Sequence, residues 1–532
     1  MHLRRIGHIL SILLFLISSL SFGQRRQVEP FDVLHYQFKV VLNDTTDYVK
    51  VDAQIAIRYL NEIPVHTTLD LAVQSRSGFG MKVDYLSLND LETDFTHRSD
   101  ELSILTPGGI QIKDTVLLNI SYSGRPDNGL VISKNANGDR TFFAEHWPNR
   151  AHRWLPVIDH PAEKATCEFH VIAPERYDVV SNGDKREEKL ISNGLKRTVW
   201  KMNNPIPSKI MVIGVAEFNT QKLGGNDRMT AWVYDKPGSQ ALNDFVDVPQ
   251  IFDILDDLLG EYPFSKCDQV ESTTKFGGME NAGNIFYPER LLNGNKDMNH
   301  TIAHEIGHQW FGNSVSEADW TDVWISEGFA TYLEYYYVLN YEGKEEFLKK
   351  LKVDEQKVLN YQFRFPGQTV VQTNIKRLEG ILNPMVYEKA AWVLRMLSEK
   401  IGEDTFNKIM LTFYERHKFG NASTQDFIGI ANELSPEELS SFFEQWFYTP
   451  GTPSVDYYWK YKNGKLLIDF RQKTTYTYQF DVDIKLKYDD ERIDIKRVTV
   501  SEKNQRVELS CEKPNRLIVD PMNVILGEFS EW

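Results

Sequence analysis

His304-Glu305-Ile306-Gly307-His308, followed after eighteen intervening residues by Glu327, is the stretch from which the rest of the chain is read. Two histidines four apart on a helix share a face about one turn apart, so both imidazoles reach one metal ion. Glu305 points into the same cleft but is poorly placed to coordinate. The pattern therefore predicts that His304 and His308 bind one Zn²⁺ per chain while Glu305 handles protons. A zinc hydrolase needs a third ligand and an open fourth position. Glu327, in the helical pattern Trp324-Ile325-Ser326-Glu327-Gly328-Phe329-Ala330, supplies that carboxylate. Ile302, Ile306 and Trp310 recur at i, i+4 and i+8, which predicts a buried stripe on the face away from the histidines.

The flanking chain is read by its period. From Phe31 to Phe218 apolar and polar residues alternate, as in Tyr36-Gln37-Phe38-Lys39-Val40-Val41-Leu42, and predict a β domain. After the turn-rich Leu223-Gly224-Gly225-Asn226-Asp227 the period becomes helical, from Ile251 to Leu259 and again from Asp297 to Phe447. Trp446-Phe447-Tyr448-Thr449-Pro450-Gly451-Thr452-Pro453 breaks that pattern, and alternation returns in Phe480 to Leu486 and Arg497 to Val500. The reading is an α+β multidomain protein: a β domain over 24–219, a mainly helical domain over 220–450 and a β-sandwich over 451–532.

At 532 residues the chain is too long for one ordinary core. A formal net charge of −15 argues against a nucleic-acid partner. At the N-terminus, Arg4 and Arg5 precede an apolar run from Ile9 to Ile17, then Ser21 and Gly23 at the −3 and −1 positions. That is the pattern of a signal peptide over 1–23, cut before Gln24. The run is too short to span a bilayer comfortably, so an exported protein without a stable membrane anchor is expected, periplasmic or secreted. Cys167, Cys267 and Cys511 allow at most one disulfide and read as small buried hydrophobes rather than ligands.

Two further segments bear on the chemistry. Lys275-Phe276-Gly277-Gly278-Met279-Glu280-Asn281-Ala282-Gly283-Asn284 has the glycines that let a backbone approach a ligand, and an extended edge there pairs with a peptide by strand addition. Glu280 is placed to hold an ammonium group; without the zinc motif the segment would read as a plain loop. Tyr387 opens another helical pattern, where a phenol serves either packing or an oxyanion.

With these residues in hand, the chain resembles the gluzincin aminopeptidases, the family of aminopeptidase N and leukotriene hydrolase, over essentially its whole mature length. Gly277-Gly278-Met279-Glu280-Asn281 is similar to the family's exopeptidase signature, with Gly278 where alanine is usual. His304 to His308 with Glu327 match its zinc motif and spacer. Tyr387-Glu388-Lys389 matches the stretch bearing its catalytic tyrosine, with Ala390 where glycine is usual. The resemblance implies a thermolysin-like catalytic domain that releases N-terminal residues by attack of a zinc-activated water. It gives Glu305 the role of general base, Tyr387 that of oxyanion stabiliser, and Glu280 that of reader of the free α-ammonium.

Two departures accompany it. The family places a Gln or Glu that shares the ammonium ahead of an Asp-Glu-Pro; here Trp147 falls at that position, ahead of Asp159-His160-Pro161. Glu145, two residues earlier, is the candidate substitute. The chain also stops at Trp532, straight after the sandwich, so no large C-terminal helical domain is expected. Access is then wider, or a second copy of the chain covers the cleft. An endopeptidase is the main rival, ahead of an epoxide hydrolase and a non-catalytic binding protein.

Overall fold

The computed structural model describes residues 29–532 except 226, 237, 238, 374 and 376, so the signal-peptide reading lies outside the described residues. Strand Phe31–Val41 buries Tyr36, Phe38 and Val40, and lies between Val49–Tyr59, antiparallel, and Lys164–Pro174, parallel. The three form the centre of an eight-stranded sheet that runs from Asp184–Ile191 at one edge to Leu91–Glu92 at the other. A four-stranded sheet of Leu130–Lys134, Arg140–Ala144, Asp178–Ser181 and Ile213–Ala216 lies in the same N-terminal region. Its strand Arg140–Ala144 ends directly before Glu145, His146 and Trp147 and so delivers them to the central part of the molecule.

The central part begins with strands Phe218–Lys222, Thr230–Tyr234, Asp268–Ser272 and Asn284–Pro288, the last three mutually parallel. The last two are buried throughout, as expected of parallel strands covered on both faces. Helices follow. Asn299–Gly307 packs on Trp324–Tyr337, a helix buried on almost every side because nearly every position carries an apolar, small or partnered residue. Phe329 on that helix stacks on Phe311, with ring centroids 4.2 Å apart, and meets Phe427 edge-on at 5.5 Å. The predicted stripe needs one correction. The helix ends at Gly307, and Trp310 lies beyond it in a turn, fully buried edge-on against Tyr262 at 5.2 Å.

The C-terminal region is a sandwich of two sheets, one of Ser454–Lys462, Lys465–Gln472, Asn504–Ser510 and Glu528–Glu531, the other of Phe480–Lys487, Ile493–Val500 and Arg516–Val519. The fold class is thus a β domain, a mainly helical middle and a β-sandwich, and no large helical domain follows the sandwich among the described residues. Helix Ala390–Ile401 is fastened to the sandwich: Trp392 Nε1 donates to the Val524 carbonyl (2.7 Å), and Arg395 Nη2 to that of Met522 (2.9 Å). All three cysteines are free thiols, with Cys167 and Cys267 buried. No helix among the described residues is long and apolar enough to cross a membrane.

Candidate active site

Helix Asn299–Gly307 carries His304 and Glu305 in its last turn, and His308 continues in helical conformation as its cap, its N–H donating to the His304 carbonyl (3.1 Å). The neighbouring helix brings Glu327 opposite. His304 Nε2 and His308 Nε2 stand 3.0 Å apart, and Glu327 Oε2 lies 3.6 and 3.3 Å from them. Zinc bonds of about 2.0–2.2 Å at a tetrahedral centre place ligand atoms roughly 3.2–3.6 Å apart, so the triangle has the size of a zinc face.

The surroundings of the imidazoles select the same function. His308 Nδ1 donates to the Phe311 carbonyl (3.2 Å) and meets Ser326 Oγ at 3.1 Å. A proton on Nδ1 leaves the Nε2 lone pair free for a metal. His304 Nδ1 faces Thr331 Oγ1 at 3.5 Å and Glu334 Oε2 at 3.9 Å. Burial opposes a charge on His308, but Glu327, Glu280 and Glu305 outweigh it and raise the ring to about 9, so the site favours positive charge beside these carboxylates. Four carboxylates, Glu280, Glu305, Glu327 and Glu334, surround those two rings. A divalent cation fits this donor set in geometry and in charge.

The protonation of the cluster follows its burial. Burial, together with the charges of Glu280, Glu327 and Glu334, pushes the Glu305 carboxyl well above the usual carboxylate range against the pull of His308. Glu327 behaves in the opposite sense: burial would raise it, but His308 and His304 hold it well below that range. Burial, then the charges of Glu327, Glu280 and Glu305, raises the Tyr387 phenol well above its ordinary value, so it stays protonated and able to donate. Its ring lies nearly parallel to that of His304, with centroids 5.8 Å apart. Tyr387 sits on a single π-helical turn, Met385–Lys389, that leads into helix Ala390–Ile401. Ala390, where the family has glycine, packs on Gly328; a side chain at Gly328 would come within 2.7 Å of the Ala390 methyl.

The segment from Gly277 to Asn281 forms the facing wall. Met279 exchanges two backbone hydrogen bonds of 3.0 Å with Phe286, which joins the segment to the central sheet. The Glu280 carbonyl accepts from Gln309 Nε2 (2.9 Å) and Asn313 Nδ2 (2.5 Å), both just past the metal helix. Its carboxylate is thereby aimed at the cleft, with Oε1 buried and without a hydrogen-bond partner. Glu305 Oε2 and both amide atoms of Asn281 are likewise buried and unpartnered. Gly278 leans on Glu305 so closely that a Cβ there would stand 2.2 Å from Oε1 and 2.5 Å from Cδ. Gly277 has open space around it.

The structure brings His304, Glu305, His308, Glu327, Tyr387, Gly278, Met279 and Glu280 around one cleft of about 50 Å³. Glu145 lies outside that lining. It is 1% exposed and both oxygens are engaged, Oε2 by the Lys275 N–H (2.5 Å) and Oε1 by Arg150 Nη1 (3.1 Å). Trp147 lines the cleft instead, with Phe276 and Leu382. Thr331 and Glu334 went unread in the sequence, although they follow Glu327 at i+4 and i+7 on one helix face. A larger hollow of about 210 Å³ lies between helix Ala390–Ile401 and the sandwich, against Trp446, Phe480 and Arg497. The two histidine- and carboxylate-bearing groups able to hold a metal, among the described residues, both lie in the smaller cleft.

Comparison with known proteins gives two family matches, the Peptidase family M1 domain over residues 245–446 and the Peptidase M1 N-terminal domain over 33–210. Glutamyl aminopeptidase of Rattus norvegicus is 27% identical over 329 residues, 58% of this chain and 35% of that protein. Aminopeptidase 2 of Candida albicans is 24% identical over 455 residues, 81% of this chain and 49% of that protein. The chain thus spans about a third to a half of the curated relatives it matches. The structure of native yeast LTA4 hydrolase superposes with a TM-score of 0.71 at 20% identity, over 80% of this chain and 69% of that one, a likeness of fold.

Proposed function

Because the chain belongs to the M1 family of peptidases, we propose that it is an exported zinc aminopeptidase that releases single residues from the free N-termini of peptides. His304, His308 and Glu327 hold the zinc, which when bound supplies a Lewis acid that polarises the scissile carbonyl. Glu305 takes a proton from the attacking water and passes it to the leaving amine nitrogen. The Tyr387 hydroxyl donates to the former carbonyl oxygen as negative charge gathers on it.

One observation carries the choice of an exopeptidase. Ligand atoms of Glu280, Glu305 and His308 lie within 4.8 Å of one another. In an amino acid the nitrogen and the carbonyl carbon are only about 2.5 Å apart. An ammonium held at Glu280 therefore presents the first peptide bond, and no later one, to Glu305 and the metal ligands. Glu145, with both oxygens engaged, positions the wall rather than sharing the amine. The signal-like N-terminus supports export, the free-amine chemistry above supports peptide substrates, and a homo-oligomer stays open.

The test pairs metal content with turnover. Glu305→Gln retains zinc and loses turnover by about 10²–10⁴-fold, whereas His304→Ala and Glu327→Ala lose both. Free-amine peptides are cleaved and their N-acetylated forms are not; equal rates on the two would establish an endopeptidase.

A further inference from the structure

Trp147 occupies the wall position that the chain's resemblance assigns to a second amine-binding residue, and its chemistry differs in kind. An indole accepts no proton and carries no charge. Its Nε1 is buried without a partner, and the residue is 2% exposed. The wall cannot retreat. Trp320 meets the Trp147 ring edge-on at 5.9 Å, and Lys209 Nζ lies 5.6 Å from its centroid. Lys209 is itself fixed by a fully buried pair with Glu317 at 2.6 Å. Arg150 Nε holds the Trp147 carbonyl at 2.7 Å while its guanidinium grips Glu145.

Phe276, Met279 and Leu382 complete an apolar lining beside the amine-reading carboxylate. The cleft as a whole, with these residues and the metal-facing groups around it, holds only about 50 Å³, a third of the roughly 150 Å³ hollow that accepts a benzene ring. The charged groups on the cleft are those assigned to the metal, the proton and the ammonium. A charged first side chain would lose its hydration and meet no new partner.

We propose that Trp147 is the specificity-determining residue of this enzyme, closing the first-residue pocket so that it takes N-terminal glycine, alanine or serine and rejects aromatic, long aliphatic and charged residues. The proposal rests on the aminopeptidase reading above and narrows it to a substrate class. One methylene misfit in a pocket changes kcat/KM by about 10–200-fold, so a fixed ring against an aromatic side chain exceeds that range.

The experiment uses the zinc-loaded full chain and anilides of alanine, leucine, phenylalanine, arginine and glutamate. Alanine is expected to exceed each of the others by at least about 100-fold in kcat/KM. Trp147→Ala should raise the phenylalanine-to-alanine ratio by about tenfold or more, and Trp147→Phe, the milder change should the first not fold, should raise it in the same direction. Calorimetric titration of the Glu305→Gln protein with Ala-Ala-Ala and Phe-Ala-Ala reads the pocket without chemistry and should favour the former. A wild-type preference for any large or charged residue overturns the proposal, as does an unchanged ratio in folded variants. Failure to cleave any anilide overturns the aminopeptidase reading instead, and the titration then decides the pocket by itself.

Discussion

The two β regions flank the helical body but meet the active site in different ways. The N-terminal one reaches the cleft. It places Trp147 in the wall and clamps the facing segment through Glu145 on Lys275 N and Asn182 Nδ2 on the Ala282 carbonyl (2.8 Å). The sandwich puts no side chain into the cleft and grips the catalytic helices from behind. Lys389 Nζ, buried two residues after Tyr387, donates to the Gly451 carbonyl (2.9 Å) at the junction with the sandwich, and Trp392 continues the attachment at Val524. One region thus decides what enters. The other fixes the turn that carries Tyr387, and on the proposed function the two roles are separable in kinetics.

The widest separation comes from Tyr387, the group the sandwich is argued to hold. Tyr387→Phe should lower kcat by about 10²–10³, roughly 3–4 kcal/mol, with little change in KM. An unchanged kcat would assign the ring to packing on His304. Lys389→Met should lower kcat about tenfold while KM stays within about twofold, since the turn loosens without touching the substrate. A rise in KM of the same size would put the sandwich in charge of binding and erase the contrast.

The same variant has a thermodynamic signature. Burial lowers the Lys389 ammonium from its ordinary 10.5 to about 7. The unfolded chain keeps that proton up to about pH 10.5, the folded one only to about pH 7. Between these values the unfolded state binds more protons, so stability rises with pH across the window. Lys389→Met should flatten this rise and, above pH 9, cost about 1–3 kcal/mol by leaving buried carbonyls without a donor. Urea unfolding at pH 6.5 and 9.5 reads both effects. The smallest effect belongs to the N-terminal clamp. Glu145→Gln keeps an acceptor for Lys275 N–H but gives up the Arg150 pair, and should raise KM about three- to tenfold with kcat nearly intact. A collapse of kcat would mean that Glu145 acts on the reacting atoms.

What was legible in the sequence depended on distance along the chain. The switch from period 2 to period 3.6 and back marked the three regions, because each residue's burial there is set by its own strand or helix. The pairing of His304 with His308 was legible for the same reason, and the structure sets Glu327, reached by the spacer rather than by periodicity, beside them; counting on along that second helix reaches Thr331 and Glu334 as well. The end of the metal helix at Gly307 was not, since Trp310 stays buried in a turn and keeps the apolar rhythm of a helix that has already stopped. Glu145 shows the deeper limit. Its neighbours in sequence suit an amine-binding role, but the group that claims its Oε2 is a backbone N–H 130 residues away. Lys389 is similar: its partners lie sixty or so residues on, across a domain junction.

Gly278 has a consequence of another kind. The missing methyl lets the carboxylate of Glu305 rest against bare backbone, closer than any side chain would permit. An alanine at position 278, usual in the family, would therefore require the Glu305 side chain to shift. The conformation of Glu305 is thus tied to the residue at 278, and a change at one position is read together with the other.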